Sequence, residues 1–215
     1  MKLIDISHVL DENTPIFPGD CKTALSKYKT IEKDCYNAYV LQSGLHTGTH
    51  IDIPMHLIND DKTVKDFPAD CFVGKGVLLD VRGEDVIQMK PVYREIVGEQ
   101  DIVLLFTGFD KYYFQDKYFA NHPTASDELA EFLLSKKIKM LGMDMPAPDY
   151  PPFTFHKELL RKGIFVLENL TNLQSLIDIA DFEVIALPLK INAEASLVRA
   201  VCRVNEESIQ SALNK

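Results

Sequence analysis

One short segment of the chain concentrates side chains that could bind a metal ion. His46, His50, Asp52 and His56 lie at relative positions 0, 4, 6 and 10, and they include three of the six histidines in the chain. Imidazole nitrogen and carboxylate oxygen are ligands that zinc and similar borderline metals accept. Because Asp52 and His56 accompany the histidine pair, we interpret the segment as a metal centre and not as solvated loop residues.

These residues can share one ion only if the backbone bends. In a helix, Asp52 would lie about 240° around the axis from His46, and Gly48 and Pro54 both disfavour a helix. In a straight strand, His46 and Asp52 would point the same way but would be about 20 Å apart. We therefore predict a strand that reaches His46, a tight turn at Gly48 and an extended exit fixed by Pro54. The helical HExxH arrangement of zinc proteases is absent from the sequence.

Three protein ligands, His46, His50 and Asp52, would leave a coordination position open, which is typical of a catalytic metal and not of a structural one. A metal-activated water can attack an electrophilic carbonyl at neutral pH. His56 is the predicted general acid and base, because the unperturbed pKa of imidazole is about 6.5. Two other classes remain open: a metal-binding protein without catalysis, and a lyase or dehydratase in which His56 removes a proton next to a carbonyl.

Size and charge limit the other classes. The 215 residues suit a single domain over 1–215, and the net charge of −9 argues against nucleic acid as a partner. No apolar stretch approaches the length of about 18 residues that a membrane span needs. The N-terminal segment lacks the apolar core of a signal peptide, and the four cysteines are scattered. We expect reduced thiols, a cytoplasmic location and a small-molecule substrate, with no membrane partner.

Hydrophobic patterns predict more strands than helices, so we expect a β-rich α/β domain with a mixed sheet. Residues 111–119 hold five aromatic side chains, which we interpret as core or subunit interface in preference to a ligand pocket. The helix predicted over 124–136 would begin with a capping box of Thr124 and Asp127. The predicted strands cover 2–10, 37–45, 74–81, 102–106, 138–143, 164–167, 182–189 and 196–204, and the other predicted helices cover 91–97, 156–163 and 170–177.

The segment HTGTHIDIPMH, from His46 to His56, resembles the HxGTHxDxPxH signature of the metal-dependent cyclase family. That family includes bacterial kynurenine formamidases and isatin hydrolases. The resemblance covers nearly the whole chain and implies a swivelling β/β/α-like fold. It also implies a homodimer or homotetramer, as the aromatic cluster suggests.

The resemblance adds site residues that spacing alone does not connect. His156 and Glu168, twelve residues apart, match a second metal site of the family that the motif aspartate, here Asp52, would bridge. Phe17 matches a position that lines the substrate site, where the formamidases usually carry Trp. The implied cofactor is a divalent metal, zinc with manganese as an alternative, with one or two ions per subunit.

The function implied by the resemblance is hydrolysis of an aryl amide, in the first place N-formylkynurenine to kynurenine and formate. The alternatives are hydrolysis of a cyclic amide such as isatin, or lyase or cyclase chemistry on a small carbonyl compound. The usual family serine is missing after Asp144, and Asp144 and Asp149 are placed where they could reach the site. His8 and His122 match no ligand position, and we interpret them as structural or surface residues.

Overall fold

The structure, a computed structural model that describes residues 1–205, is built on a nine-stranded mixed sheet. Its strand order is β1-β13-β11-β5-β7-β9-β10-β4-β12. The neighbours from β5 to β10 are parallel, and the other neighbouring pairs are antiparallel. The strands are β1 (Lys2–Asp5), β2 (Ala24–Lys29), β3 (Ala38–Gln42), β4 (His50–Asp52), β5 (Val73–Asp80), β6 (Val86–Ile87), β7 (Ile102–Phe106), β8 (Thr124–Ala125), β9 (Met140–Met143), β10 (Phe165–Glu168), β11 (Phe182–Ile185), β12 (Ala195–Leu197) and β13 (Val201–Val204).

Helices are few and mostly short. Within residues 1–205 the α-helices are α1 (Ile31–Asp34), α2 (Tyr93–Ile96), α3 (Lys117–Ala120), α4 (Asp127–Lys136) and α5 (Thr154–Arg161). Single 3₁₀ turns cover Pro54–His56, Val64–Asp66, Ala69–Phe72, Phe109–Tyr112 and Leu173–Leu176. The predicted β-rich α/β class with a mixed sheet is therefore confirmed. No helix of this part of the chain is long and apolar enough to cross a membrane.

The parallel centre of the sheet is buried on both faces. All five residues of β7 are buried: Ile102 and Leu104 join one hydrophobic cluster, and Val103 and Leu105 join another. A strand covered on both faces needs a continuous apolar run and not an alternating one, which explains the sequence IVLLF. Helices α4 and α5 cover the second cluster, and that face also carries the candidate site.

The backbone around the metal motif differs from the predicted course at both ends of the motif. The strand before it, β3, ends at Gln42, so His46 lies in a turn and not in a strand. The predicted turn at Gly48 is present, with φ of 65°. The predicted extended exit from this turn is present as β4 and Ile53. It ends at Pro54, which opens a 3₁₀ turn through His56, because proline is favoured at a first helical position.

The predicted helix limits also need correction. Thr124 belongs to β8, which pairs with β6, and the cap of α4 is Ser126, whose hydroxyl accepts the Leu129 N–H at 3.3 Å. The segment 170–177 forms only a 3₁₀ turn, because Asn172 adopts a left-handed conformation before it. The single strand predicted over 196–204 is two strands, β12 and β13, which lie in different parts of the sheet.

The Ser126 cap supports a stability prediction. Ser126→Ala removes the acceptor for an otherwise unpaired N–H at the start of α4, so the free energy of unfolding should fall by about 1 kcal/mol. Urea denaturation measures this change. Ser126→Asp is the matched control, because aspartate also caps helices, and it should stay within about 0.5 kcal/mol of wild type. Equal losses in both variants would contradict the capping role.

Candidate active site

The pairing of β4 with β10 places the first functional side chains on one face of the sheet. His50 lies directly opposite Glu168, and Asp52 lies two residues further along β4. Residues at positions i and i+2 of a strand share a face, as do directly opposed residues of antiparallel strands. His50 Nε2 lies 3.4 Å from Glu168 Oε2. All three side chains are almost fully buried.

The turn at Gly48 brings His46 back over the same point. His46 Nδ1 lies 2.9 Å from Asp52 Oδ1, and His50 Nε2 lies 3.5 Å from the same oxygen. The two imidazoles meet nearly edge to face, with centroids 5.1 Å apart. His46, His50 and Asp52 therefore converge as the bend in the motif requires.

A second group forms around the other oxygen of Asp52. His156, in the first turn of α5, places Nε2 3.4 Å from Asp52 Oδ2 and Nδ1 3.7 Å from Glu168 Oε1. Asp149 holds the start of this helix, because its Oδ2 accepts the Phe155 N–H at 2.8 Å. The two oxygens of Asp52 thus face two different sets of imidazoles.

The donor atoms of both groups fit a divalent metal. His46, His50 and Asp52 can each offer one ligand atom within 4.8 Å of the others, and so can Asp52, His156 and Glu168. Several of these atoms are buried without any hydrogen-bond partner, namely His50 Nε2, both Asp52 oxygens, His156 Nε2 and Glu168 Oε1. Buried polar atoms are rarely left unpaired, and a metal ion would satisfy them together.

Electrostatics also favour a cation at this point. Burial alone would raise the pKa of Asp52, but the imidazoles of His50 and His46 hold that pKa well below its usual range. Burial and the neighbouring Asp52 charge raise the pKa of Glu168. Two carboxylates buried side by side repel each other unless positive charge lies between them.

His56 lies beside the two metal-ligand groups but belongs to neither. It belongs to the 3₁₀ turn after Pro54, and its Nε2 lies 3.8 Å from Asp52 Oδ2. Burial, helped by the charges of His46 and His156, lowers the pKa of His56 to about 4. The ring is therefore neutral at pH 7 and can accept a proton.

A buried hydrogen-bond network holds the motif in place. The Gly48 carbonyl accepts from His50 Nδ1 at 2.8 Å and from Asn169 Nδ2 at 3.0 Å. Asn169 Oδ1 accepts from the Tyr118 hydroxyl at 2.8 Å. His50 therefore carries its proton on Nδ1 and turns Nε2 towards the site. Sequence reasoning missed Asn169 and Tyr118, although Asn169 directly follows Glu168.

The metal-ligand groups form the floor of a largely apolar pocket. Phe17 lies in this pocket, 40% exposed, in edge-to-face contact with Phe119 at 5.8 Å between centroids. Among the described residues, Asp20 is the only charged side chain that lines the pocket beyond the metal-ligand groups and His56. The other apolar walls are Leu57, Pro146, Ala147 and Phe153. A flat aromatic substrate would suit these walls.

The structure places all seven sequence-predicted site residues at this pocket: Phe17, His46, His50, Asp52, His56, His156 and Glu168. The aromatic segment divides, because Tyr113 and Tyr118 are buried whereas Phe119 lines the pocket. The core or interface interpretation therefore missed Phe119.

The four remaining polar residues named from the sequence lie outside the pocket walls. Asp144 accepts hydrogen bonds from Thr107 and Gly108, so its carboxylate is already satisfied. Asp149 caps α5 as described above. His8 stacks on Tyr113 and His122 stacks on Tyr150, which gives both histidines a place in the packing.

The fold and this site define a metal-dependent hydrolytic enzyme with a divalent-metal centre. The family model named Cyclase, described as "Putative cyclase", matches residues 4–150. The kynurenine formamidase of Bacillus cereus (strain ATCC 14579) is 33% identical over 206 residues, which cover 93% of this chain and 96% of that relative. The chain belongs to the cyclase family.

Solved structures agree with that assignment. An isatin hydrolase bound to the product analogue thioisatinate superposes with a TM-score of 0.85 at 25% identity, covering 95% of this chain and 93% of that chain. Isatin hydrolase A from Labrenzia aggregata, bound to benzyl benzoate, has a TM-score of 0.84 at 25% identity, with 95% and 94% covered. The chain is thus similar over almost its whole length both to a kynurenine formamidase and to isatin hydrolases.

The charge state of His46 predicts how metal affinity depends on pH. Burial opposes protonation of His46, but the Asp52 carboxylate raises its pKa to about 9 in the metal-free protein. Below that pH the ring carries a proton that a metal must displace. The apparent affinity for the metal should therefore increase by up to about tenfold for each unit by which the pH is raised towards 9. Competition titration with a chromophoric chelator from about pH 6.5 to about pH 8.5 measures this, and an unchanged Kd would contradict it.

Proposed function

We propose that this protein is an arylformamidase, which hydrolyses N-formylkynurenine to kynurenine and formate in tryptophan catabolism. The observation that carries the proposal is the metal-ligand cluster at the floor of an aromatic-walled pocket, with the neutral imidazole of His56 beside it. The relation to the Bacillus cereus kynurenine formamidase, at 33% identity over 93% of this chain, supports the substrate.

The chain's own residues have separate tasks in this reaction. His46, His50, Asp52, His156 and Glu168 would hold the metal, which when bound activates water and polarises the formyl carbonyl. His56 Nε2 removes a proton from the attacking water and then returns it to the departing aryl amine nitrogen. Phe17 and Phe119 hold the aryl ring against the apolar walls, which exclude bulk water from the formyl group.

We propose zinc as the metal, in one or two ions per subunit. Imidazole with carboxylate is a donor set that zinc accepts, and Asp52 belongs to both ligand groups. Manganese also accepts these ligands. Metal analysis of the purified protein, with activity restored by each ion after chelation, distinguishes the two.

A second candidate substrate is a cyclic aryl amide such as isatin. The structural likeness to two isatin hydrolases favours it, as does the apolar pocket with Phe17. Asp20 favours the first candidate, because its carboxylate at the pocket can attract the ammonium group of N-formylkynurenine. Isatin is neutral and would gain nothing from Asp20.

Comparison of substrates tests the proposal directly. The purified protein should hydrolyse N-formylkynurenine, lose that activity with a chelator and regain it with zinc. Turnover of isatin without turnover of N-formylkynurenine would overturn the substrate and keep the reaction class. Reaction in ¹⁸O-labelled water separates hydrolysis from lyase chemistry, since only hydrolysis places solvent oxygen in the acid product.

The roles of His56 and Asp52 predict different defects. His56→Ala should keep its metal and lose about 10²- to 10⁴-fold in kcat, because only proton transfer is removed. Asp52→Ala should lose both metal and activity, because Asp52 faces both ligand groups. Metal content and kcat are measured together, and His122→Ala, outside the pocket, is the histidine control. Loss of all metal from a folded His56→Ala protein would make His56 a ligand.

We also propose that the protein is a homodimer or homotetramer that uses the hairpin of β2 and β3. This hairpin is a separate two-stranded sheet, and isolated hairpins are marginally stable in water. It exposes Tyr28, Tyr39, Val40 and Leu41 by 47–61%. Tyr39 and Leu41 share one face of the hairpin, because they are two residues apart on β3. Exposed apolar side chains of this kind are typical of a protein interface, and a second copy of the chain would cover that face.

The hairpin predicts a change of mass in solution. Tyr39→Lys with Leu41→Lys should convert the oligomer to monomer, because charges would be buried without partners at the interface. Light scattering after gel filtration measures the mass. Leu189→Lys, at a side chain 60% exposed and outside both the hairpin and the aromatic cluster, is the control and should leave the oligomer intact. A monomeric wild-type protein would contradict the proposal.

We further propose a cytoplasmic location. All four cysteines are free thiols in the structure, and one of them, Cys202, is buried in the core. Free thiols suit a reducing compartment. Recovery of the native protein in a membrane or secreted fraction would contradict this location.

A further inference from the structure

Each imidazole of the first metal-ligand group has a second ring nitrogen that must find a partner. For His50 that partner is the Gly48 carbonyl, two residues away in the same motif. For His46 it is a carboxylate from a distant part of the chain: His46 Nε2 lies 3.3 Å from Glu194 Oε1. The other nitrogen of His46, Nδ1, lies 2.9 Å from Asp52 Oδ1 and faces the ligand group.

The backbone holds Glu194 firmly in this position. Glu194 directly precedes β12, which pairs with β4 so that Ala195 lies opposite Asp52. The Glu194 carbonyl accepts the Ile53 N–H at 3.3 Å, and the neighbouring Ala193 carbonyl accepts the Val64 N–H at 3.0 Å. Glu194 is therefore anchored at the edge of the sheet, beside the motif and outside the residues that line the pocket.

We propose that Glu194 is a positioning residue for the metal centre. Its carboxylate accepts the Nε2–H of His46, which fixes the ring orientation and leaves Nδ1 facing the ligand group, where it would be free to bind a metal. His46 needs this support more than His50 does, because the His46 side chain is 24% exposed whereas that of His50 is 1% exposed. A carboxylate behind a ligating histidine also makes the imidazole a stronger donor.

This role concerns the metal and not the substrate, so it rests on the metal centre and is independent of the proposed arylformamidase activity. The arrangement predicts that removal of Glu194 weakens metal binding without disturbing the metal-free fold. A merely structural residue would do the reverse, because its loss would lower the stability of the metal-free protein and leave the affinity of the folded protein unchanged.

The test is the Zn²⁺ affinity of full-length variants, measured by chelator competition together with the melting temperature of the metal-free protein. Glu194→Ala should weaken the Kd by about 10- to 100-fold and lower the metal-free melting temperature no more than the loss of an exposed ion pair in the control variant does. Glu194→Gln keeps an acceptor oxygen of the same shape and should recover part of the loss. Glu183→Ala is the control, because Glu183 is similarly exposed but pairs with Arg203 on a different strand.

Three results would overturn the proposal: a Kd for Glu194→Ala within about twofold of wild type, a lowered metal-free melting temperature with unchanged Kd, or equal losses in the Ala and Gln variants. If Glu194→Ala does not fold, Glu194→Gln supplies the test, because a Kd within about twofold of wild type in that isosteric variant also overturns the proposal. Wild-type protein that binds Zn²⁺ tightly but does not hydrolyse N-formylkynurenine would refute the substrate and leave this test intact.

Discussion

The active site depends on one buried carboxylate that lies among imidazoles. Asp52 is almost fully buried, and each of its oxygens faces a different imidazole group. An isolated charge in such surroundings is strongly unfavourable, so the site is stable only with positive charge close by. Protonated imidazoles can supply that charge in the metal-free protein, and a divalent ion supplies it when bound. The same constraint that destabilises an empty site makes the site selective for a cation.

The sheet satisfies this constraint by bringing together residues from separate parts of the chain. His50 and Asp52 come from an antiparallel strand, Glu168 from the end of a parallel strand beside it, and His156 from the helix that covers this face. A strand that ends in a carboxylate is unfavourable in an apolar core, and here the ligand groups compensate for it. The continuous apolar strands in the middle of the sheet supply the rigid support that this geometry needs.

Around this charged floor the pocket is almost entirely apolar. Phe17 and Phe119 form one aromatic wall, and Phe153 precedes the helix that delivers His156. Low polarity around the ligand groups strengthens the electrostatic interactions at the floor and lowers the pKa of His56 through burial. The apolar walls therefore suit the flat ring of the proposed substrate, and at the same time they keep the His56 imidazole neutral.

The sequence by itself determined the metal motif, the bend at Gly48 and the β-rich class, because these depend on local residue types and short spacings. Resemblance to a known family added His156, Glu168 and Phe17, which no local pattern connects to the motif. The 3₁₀ turn at Pro54 and the Ser126 cap were not foreseen, because several local conformations were equally compatible with those residues. Only the tertiary structure decided that Asn169 and Phe119 line the site and that Glu194 contacts His46. Asn169 and Glu194 reach the site through strand pairing over separations of more than a hundred residues. Phe119 reaches it because helix α3 packs against the loop that carries Phe17. Such long-range contacts leave no periodic signal in the chain.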